Sequence, residues 1–149
     1  MKHGIRLVIS MFAFFLTFGA VQPTDASASS DPNVYINQNK VPQGNIVMKD
    51  NQIFVAFTEL IQERDGLNMQ WDNINKEIEI TGSKTYLIIT VGKNTVIKND
   101  KQLEMSAEPF IHEGKTMVPL RFASEALGRE VQWNQAAQTA YVRTPDKAS

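Results

Sequence analysis

Apolar and polar positions change rhythm several times along this chain. Val34-Tyr35-Ile36 is a short apolar run, Asn37-Gln38-Asn39-Lys40 has turn chemistry, and Val41 starts a return, which predicts a hairpin. Pro42-Gln43-Gly44-Asn45 marks another turn. Ile46-Val47-Met48 and Ile53-Phe54-Val55 flank the polar Lys49–Gln52 and predict a second hairpin. Phe57, Leu60 and Ile61 then recur at spacings of three and four, which predicts a helix of about two turns over 57–64. Thr58 is a candidate cap, and Asp65-Gly66 supplies the glycine of a helix stop. Leu67, Met69 and Trp71 alternate, Asp72-Asn73 turns the chain, and Ile78 and Ile80 alternate with Glu77 and Glu79, a strand with one wet face. Tyr86 to Val91 is denser in apolar residues and is expected nearer the centre of a sheet.

From Val96 the pattern returns. Placing Trp71 on Trp133, an ungapped offset of 62, also places Val34 on Val96, Asn37 on Asn99, Gly66 on Gly128 and Gln70 on Gln132. Apolar classes agree at Val41 and Leu103, Met48 and Phe110, Val55 and Met117, Met69 and Val131, and Ile80 and Val142. The register holds through hairpin, helix, glycine, tryptophan and last strand, as an internal duplication would make it. The expected fold is therefore α+β: mainly antiparallel sheet with two short helices, in one compact domain built from pseudo-repeats at 34–80 and 96–142. Two separate domains of about 50 residues each would be marginal without disulfides.

The second half carries the clearest stretch. Glu108 to Ile111 enters a strand, His112-Glu113-Gly114-Lys115 turns, and Thr116-Met117-Val118 returns. Pro119 has a fixed φ and no amide hydrogen, so it suits a strand edge or the opening of a helix. Leu120, Ala123 and Leu127 share one helical face, Arg121 and Glu125 can pair on another, and Gly128 ends the helix. Trp133 follows on the exit strand, and Ala140-Tyr141-Val142 is the last.

The N-terminus has a different character. Lys2 and Arg6 precede the apolar run Leu7–Val21, and Ala26-Ser27-Ala28 offers small residues, the layout of a secretory signal peptide (1–28) cut after Ala28. The run is about fifteen residues, short of the roughly 20 needed to span a bilayer. Cleavage leaves about 120 residues, one domain's worth of chain: a flexible leader 29–33, the folded part 34–143 and a polar tail 144–149. Lys2, Arg6 and Asp25 depart with the signal, leaving about two net negative charges and no electrostatic footprint for nucleic acid or an anionic membrane. No second apolar span exists, so no membrane insertion is expected after cleavage. There is no cysteine, which excludes disulfides, a thiol nucleophile and a lipid-carrying cysteine.

Val118-Pro119-Leu120-Arg121-Phe122-Ala123-Ser124-Glu125-Ala126-Leu127-Gly128, with Val131 and Trp133-Asn134, resembles the copper amine oxidase N-terminal-like (stalk) domain of exported bacterial proteins. The resemblance covers essentially Val34 to Val142. The family usually has aspartate after the tryptophan; Asn134 stands there in the second half and Asp72 in the first. The first half has Phe57-Thr58-Glu59 in place of Pro-Leu-Arg at the ungapped offset. In amine oxidases the resemblance implies an appendage remote from the copper. Copper oxidase sites need several imidazoles, and beyond the signal peptide this chain has one histidine, His112. The expected reading is a module without cofactor, metal or catalytic residues.

His112 is expected in a turn, where a lone histidine is solvated. No Gly-x-Ser-x-Gly motif occurs, and no triad context exists. Glu77, Glu79, Glu113 and Glu125 fall on wet faces or turns, so a carboxylate pair for hydrolysis has no support. Trp71 and Trp133 allow two readings, core residues or platforms for a sugar ring, of which equivalent placement in alternating strands favours the core. Arg121 is either structural, paired with Glu125, or a contact for an acidic group on a partner; its ungapped counterpart Glu59 raises the idea of an ion pair between halves. The remaining partner candidates are His112 and Lys115; Pro119, Leu120, Ala123, Leu127, Gly128, Trp133, Gly66 and Trp71 form the structural motif. The partner is expected to be an unknown protein or cell-wall component, bound by a non-catalytic exported module at the cell envelope or on a secreted partner. The alternative is a secreted inhibitor of an extracellular peptidase, presenting the turn Asn37–Lys40, Lys49–Gln52 or His112–Lys115.

Overall fold

The computed structural model describes residues 31–146 together with Gly19. The expected signal peptide, Gly19 apart, lies outside the described residues. Among the described residues no helix is long and apolar enough to cross a membrane.

Among the described residues thirteen strands and two α-helices follow one another. Asn33–Ile36 (β1) and Asn39–Lys40 (β2) form a hairpin, as do Ile46–Lys49 (β3) and Gln52–Ala56 (β4). Phe57–Leu60 (α1) leads to Asn68–Asp72 (β5) and Glu77–Thr81 (β6). Tyr86–Thr90 (β7) precedes two further hairpins, Thr95–Lys98 (β8) with Lys101–Glu104 (β9), and Phe110–His112 (β10) with Lys115–Pro119 (β11). Leu120–Ala126 (α2), Glu130–Asn134 (β12) and Thr139–Arg143 (β13) complete the order.

The four hairpins β1–β2, β3–β4, β8–β9 and β10–β11 share one device. Each turns on two residues with positive φ: Asn37 and Gln38, Asp50 and Asn51, Asn99 and Asp100, Glu113 and Gly114. Two-residue turns of this hand match the right-handed twist of the strands. Asn, Asp and Gly tolerate positive φ; Gln38 and Glu113 adopt it at a cost. The turns at 73–76 and 135–138 work differently. Asp72 Oδ1 accepts the amides of Ile74 (2.8 Å) and Asn75 (3.1 Å), and Asn134 Oδ1 accepts the amide of Ala137 (3.0 Å). Either side chain supplies that oxygen, which is why asparagine serves here as well as aspartate.

Three sheets result, with orders β12-β13-β1-β2, β10-β11-β4-β3 and β5-β6-β7-β8-β9. All pairings are antiparallel except β1 with β13. The early hairpin β1–β2 sits on the late strands β12–β13. The later hairpin β8–β9 joins the early strands β5–β6 through β7, which is central as its apolar run predicts. In the middle sheet β4 and β11 pair about Val55 and Val118. A cluster of buried side chains runs beneath all of this, from Val34 and Ile36 through Phe57, Leu60, Ile80 and Leu87 to Leu120, Ala123, Ala140 and Val142.

Two details depart from the sequence reading. The helix expected over 57–64 is α-helical only to Leu60. Ile61 and Gln62 are extended, and a 3-10 turn follows at Glu63–Asp65. Asp65 accepts the Gln62 backbone amide at 2.9 Å, a local cap that competes with helix continuation. Ala56, not Thr58, is the N-cap, without a side-chain cap. Second, the correspondence between halves is not ungapped. β1, β5 and β6 begin and end 62 residues before β8, β12 and β13, apart from β7 inserted between. β4 and the start of α1, however, lie 63 before β11 and the start of α2. The counterpart of Pro119-Leu120-Arg121 is therefore Ala56-Phe57-Thr58.

The helix exits carry the sharpest difference between halves. Gly66 (φ 62°) and Gly128 (φ 75°) both take the left-handed conformation. Asp65 and Leu67 flank the first glycine, Leu127 and Arg129 the second. Asp65 and Arg129 meet as an ion pair joining the two exits, their side chains 11% and 2% exposed. Burial pulls the Arg129 pKa down and Asp65 opposes the shift. Arg129 Nη1 has no partner among the described residues. Nothing in the sequence reading singled this pair out. The one available signal was a charged residue at each place where the other half has leucine.

Candidate functional site

A cleft of about 740 Å³ opens where the end of sheet β12-β13-β1-β2 faces the β3–β4 turn and the start of α2. Trp133, Val131 and Ala140 line one side; Met48, Asn51, Gln52 and Ile53 line another; Pro119, Leu120 and Arg121 close the base of α2.

The strand register explains the tryptophan. Val131 pairs with Val142, and Trp133 with Ala140. Val142 and Ala140 are buried at 2% and 1%, and directly opposed residues point to one face. Trp133 thus lies on the core-facing side of its sheet, but at the end where the core runs out. It stays 38% exposed, and Trp71 on β5 stays 42% exposed. The favoured core reading of both residues is corrected accordingly: alternation places each on the inner face and cannot say how far the core extends. The Trp133 indole N–H donates to Gln135 Oε1 at 2.8 Å, which holds the ring at the cleft wall.

Arg121 reaches the same cleft from the first turn of α2. It pairs with Glu125 at 3.6 Å, both side chains more than half exposed, an arrangement worth at most a few tenths of a kcal/mol. Pro119 ends β11 and is the N-cap of α2; Leu120 and Ala123 are buried, and Leu127 packs against the core. The two most informative residues of the motif, Arg121 and Trp133, are thereby brought together.

The other partner candidates lie elsewhere. Lys115 does not line the cleft; its ammonium donates to Gly44 O (3.4 Å) and to Asn45 Oδ1, and Asn45 in turn donates to Glu59. By element spacing Lys115 corresponds to Gln52, but unlike Gln52 it is tied into a polar network away from the cleft. Glu59 is consumed there, and the ion pair envisaged between Glu59 and Arg121 does not form. The one-residue shift at α1 is the reason. His112 ends β10, exposed, with Nε2 4.0 Å from Glu113 Oε1. Among the described residues no group of three His, Cys, Asp or Glu is placed to hold a metal ion.

A second cleft, about 890 Å³, lies at the helix exits, with Asp65, Leu67, Leu127 and Arg129 on its floor. Tyr35 and Tyr141 stack on its rim with ring centroids 5.6 Å apart.

The chain matches the sequence profile described as the copper amine oxidase N-terminal domain over residues 35–142, and it belongs to that family. It is also similar to a protein of Brevibacillus choshinensis named "Protease inhibitor", 26% identical over 126 residues. That match covers 82% of this chain and 39% of the relative, so the chain spans about two fifths of the relative's length.

Proposed function

We propose that this protein is a non-catalytic binding module that works outside the cytoplasm, at the cell envelope or on a secreted partner. The cleft carrying Trp133 and Arg121 is its binding face. One observation carries the reading: an aromatic ring and a cation from separate elements converge on an open cleft, while Lys115, the counterpart of the cleft residue Gln52, is tied up with Asn45 and Glu59. Family membership supports a module without catalysis of its own, and the N-terminal pattern of residues 1–28 supports export. The repeated order of elements supports an origin in two copies of one unit folded as a single domain. The test is sedimentation of the exported protein with purified cell wall. Retention that falls in Trp133→Ala and Arg121→Gln supports the reading; protein that stays in solution at all wall concentrations, or retention indifferent to both changes, overturns it.

A second reading, inhibition of an extracellular peptidase, is favoured by the name of the Brevibacillus relative. The turn Asp50-Asn51 is the best-placed element for it, since Asn51 and Gln52 already border the cleft. Stoichiometric inhibition of a secreted peptidase, lost when this turn is altered, would establish it over the envelope reading.

A further inference from the structure

Resting on that binding face, the hydrogen-bonding balance of the cleft says more about its ligand. An indole N–H can only donate, so the Gln135 side chain must present its oxygen to Trp133. Its Nε2 is left unengaged among the described residues. The Ser106 hydroxyl donates to Gln52 Oε1 at 2.8 Å, which leaves the Gln52 Nε2 likewise. Arg121 adds a guanidinium with donors only, held by one weak exposed partner. Gln138 spends its Nε2 on Gln135 O at 2.8 Å and keeps its oxygen. Asp31, Asn51 and Gln138 line the same cleft and add acceptor oxygens, so it offers two amide donors, a cation and an aromatic side chain beside acceptors that sugar hydroxyls can use.

We infer that the Trp133–Arg121 cleft binds a saccharide that carries a carboxylate. A sugar ring fits the partly exposed tryptophan because its C–H faces are apolar while its rim is polar, and an amphipathic aromatic suits such a surface. Ring oxygens, hydroxyls and acetamido carbonyls accept from Gln52 and Gln135, and the carboxylate takes the place of Glu125 on Arg121 through charge-assisted hydrogen bonds. An acidic peptide would also satisfy Arg121. It has less use for side-chain amide donors, because an extended peptide is normally held by main-chain bonds to a strand edge. Glu125 becomes the competitor: Glu125→Gln frees Arg121 and tightens binding, an effect that a merely structural Arg121–Glu125 pair would not give.

The experiment is calorimetric titration of the protein purified from the medium of a secreting host. Three probes are compared: a tetrasaccharide alternating glucuronic acid and N-acetylglucosamine, the neutral N-acetylglucosamine tetramer, and an acidic octapeptide. The acidic saccharide should bind about tenfold tighter than the neutral one, the scale of one charge-assisted contact at a wet site. Arg121→Gln should reduce it to the neutral level, Glu125→Gln should strengthen it, Trp133→Ala should abolish it and Trp133→Phe should retain it. Unchanged melting of the Arg121 and Glu125 variants keeps the test independent of folding. Equal binding of both saccharides, or none of either, overturns the inference. Binding of the peptide alone, lost with Trp133→Ala, also overturns it while leaving the cleft as a binding face. Cell-wall retention indifferent to Trp133 and Arg121 would instead remove the underlying reading.

Discussion

The two tryptophan-bearing strands are set up alike and end in different surroundings. β5 and β12 each follow a helix and a left-handed glycine, and each points its tryptophan to the inner face near the end of a sheet. Around Trp133 the neighbouring elements contribute Gln52 and Arg121, whose donors remain available. The counterpart of Gln52 by element spacing is Lys115, bonded to Gly44 and Asn45, and that of Arg121 is Thr58, with no charge. One scaffold thus supports a surface in which polar groups satisfy one another and a surface in which they do not. The teaching is that the shared motif specifies the scaffold, and the residues outside it decide which face is left unsatisfied.

The largest effect is expected where the halves are joined. Asp65→Ala leaves the Arg129 guanidinium buried without its counter-charge, and should cost about 3–5 kcal/mol in denaturant unfolding. Replacing both by leucine makes the two exits alike, and should recover most of that loss if the comparison between them is sound. An Asp65→Ala variant as stable as the parent would mean the pair is not buried as described.

Next come the tryptophans. Trp71→Ala and Trp133→Ala should each destabilise by less than the roughly 3–5 kcal/mol of a fully buried aromatic. Only the second should remove binding to cell wall. The helix exits should behave alike: Gly66→Ala and Gly128→Ala should each cost about 1–2 kcal/mol, because a Cβ strains the left-handed backbone although neither site has an atom within 4 Å to clash. A much larger loss at one of them would break the equivalence of the exits.

The smallest effects are electrostatic. Arg121→Gln should change stability by no more than about 0.5 kcal/mol, since its pair with Glu125 is exposed. The twin turns differ in pH response. The amide of Asn75, its side chain and the amide of Ile74 hold the Asp72 carboxyl below its ordinary value of 3.8. A lowered folded pKa stabilises fully above the unfolded value and is lost as pH falls through the folded one. Asp72→Asn should remove that acid-dependent part and make the first turn respond like the second, at Asn134. Unfolding curves of both proteins measured from neutral pH to well below 3.8 check this.

Much of the architecture was legible because it rests on local rules. Period-two alternation pointed to β5 and β6, turn residues to the hairpins, and Gly66 and Gly128 to both helix exits. What misled was compensation. β4 and β11 lie 63 residues apart while β5 and β12 lie 62 apart, so an ungapped comparison matched the tryptophans while setting Arg121 opposite Glu59 instead of Thr58. Of the site, Arg121 and its pairing with Glu125 were readable from a spacing of four. The exposure of Trp133 was not, because alternation tells which face a side chain takes and nothing of where the core ends. Asp65 and Arg129 were missed because a long-range ion pair leaves no periodic trace.

The central claim is that the face bearing Trp133 binds and the face bearing Trp71 does not. The most direct test is the pair of indole N–H signals in nitrogen-15 correlation spectra of the exported protein, recorded while lysozyme-released cell-wall fragments are added. The account predicts that the Trp133 signal shifts progressively while that of Trp71 stays in place. Equal movement of both, or movement of Trp71 alone, would contradict it.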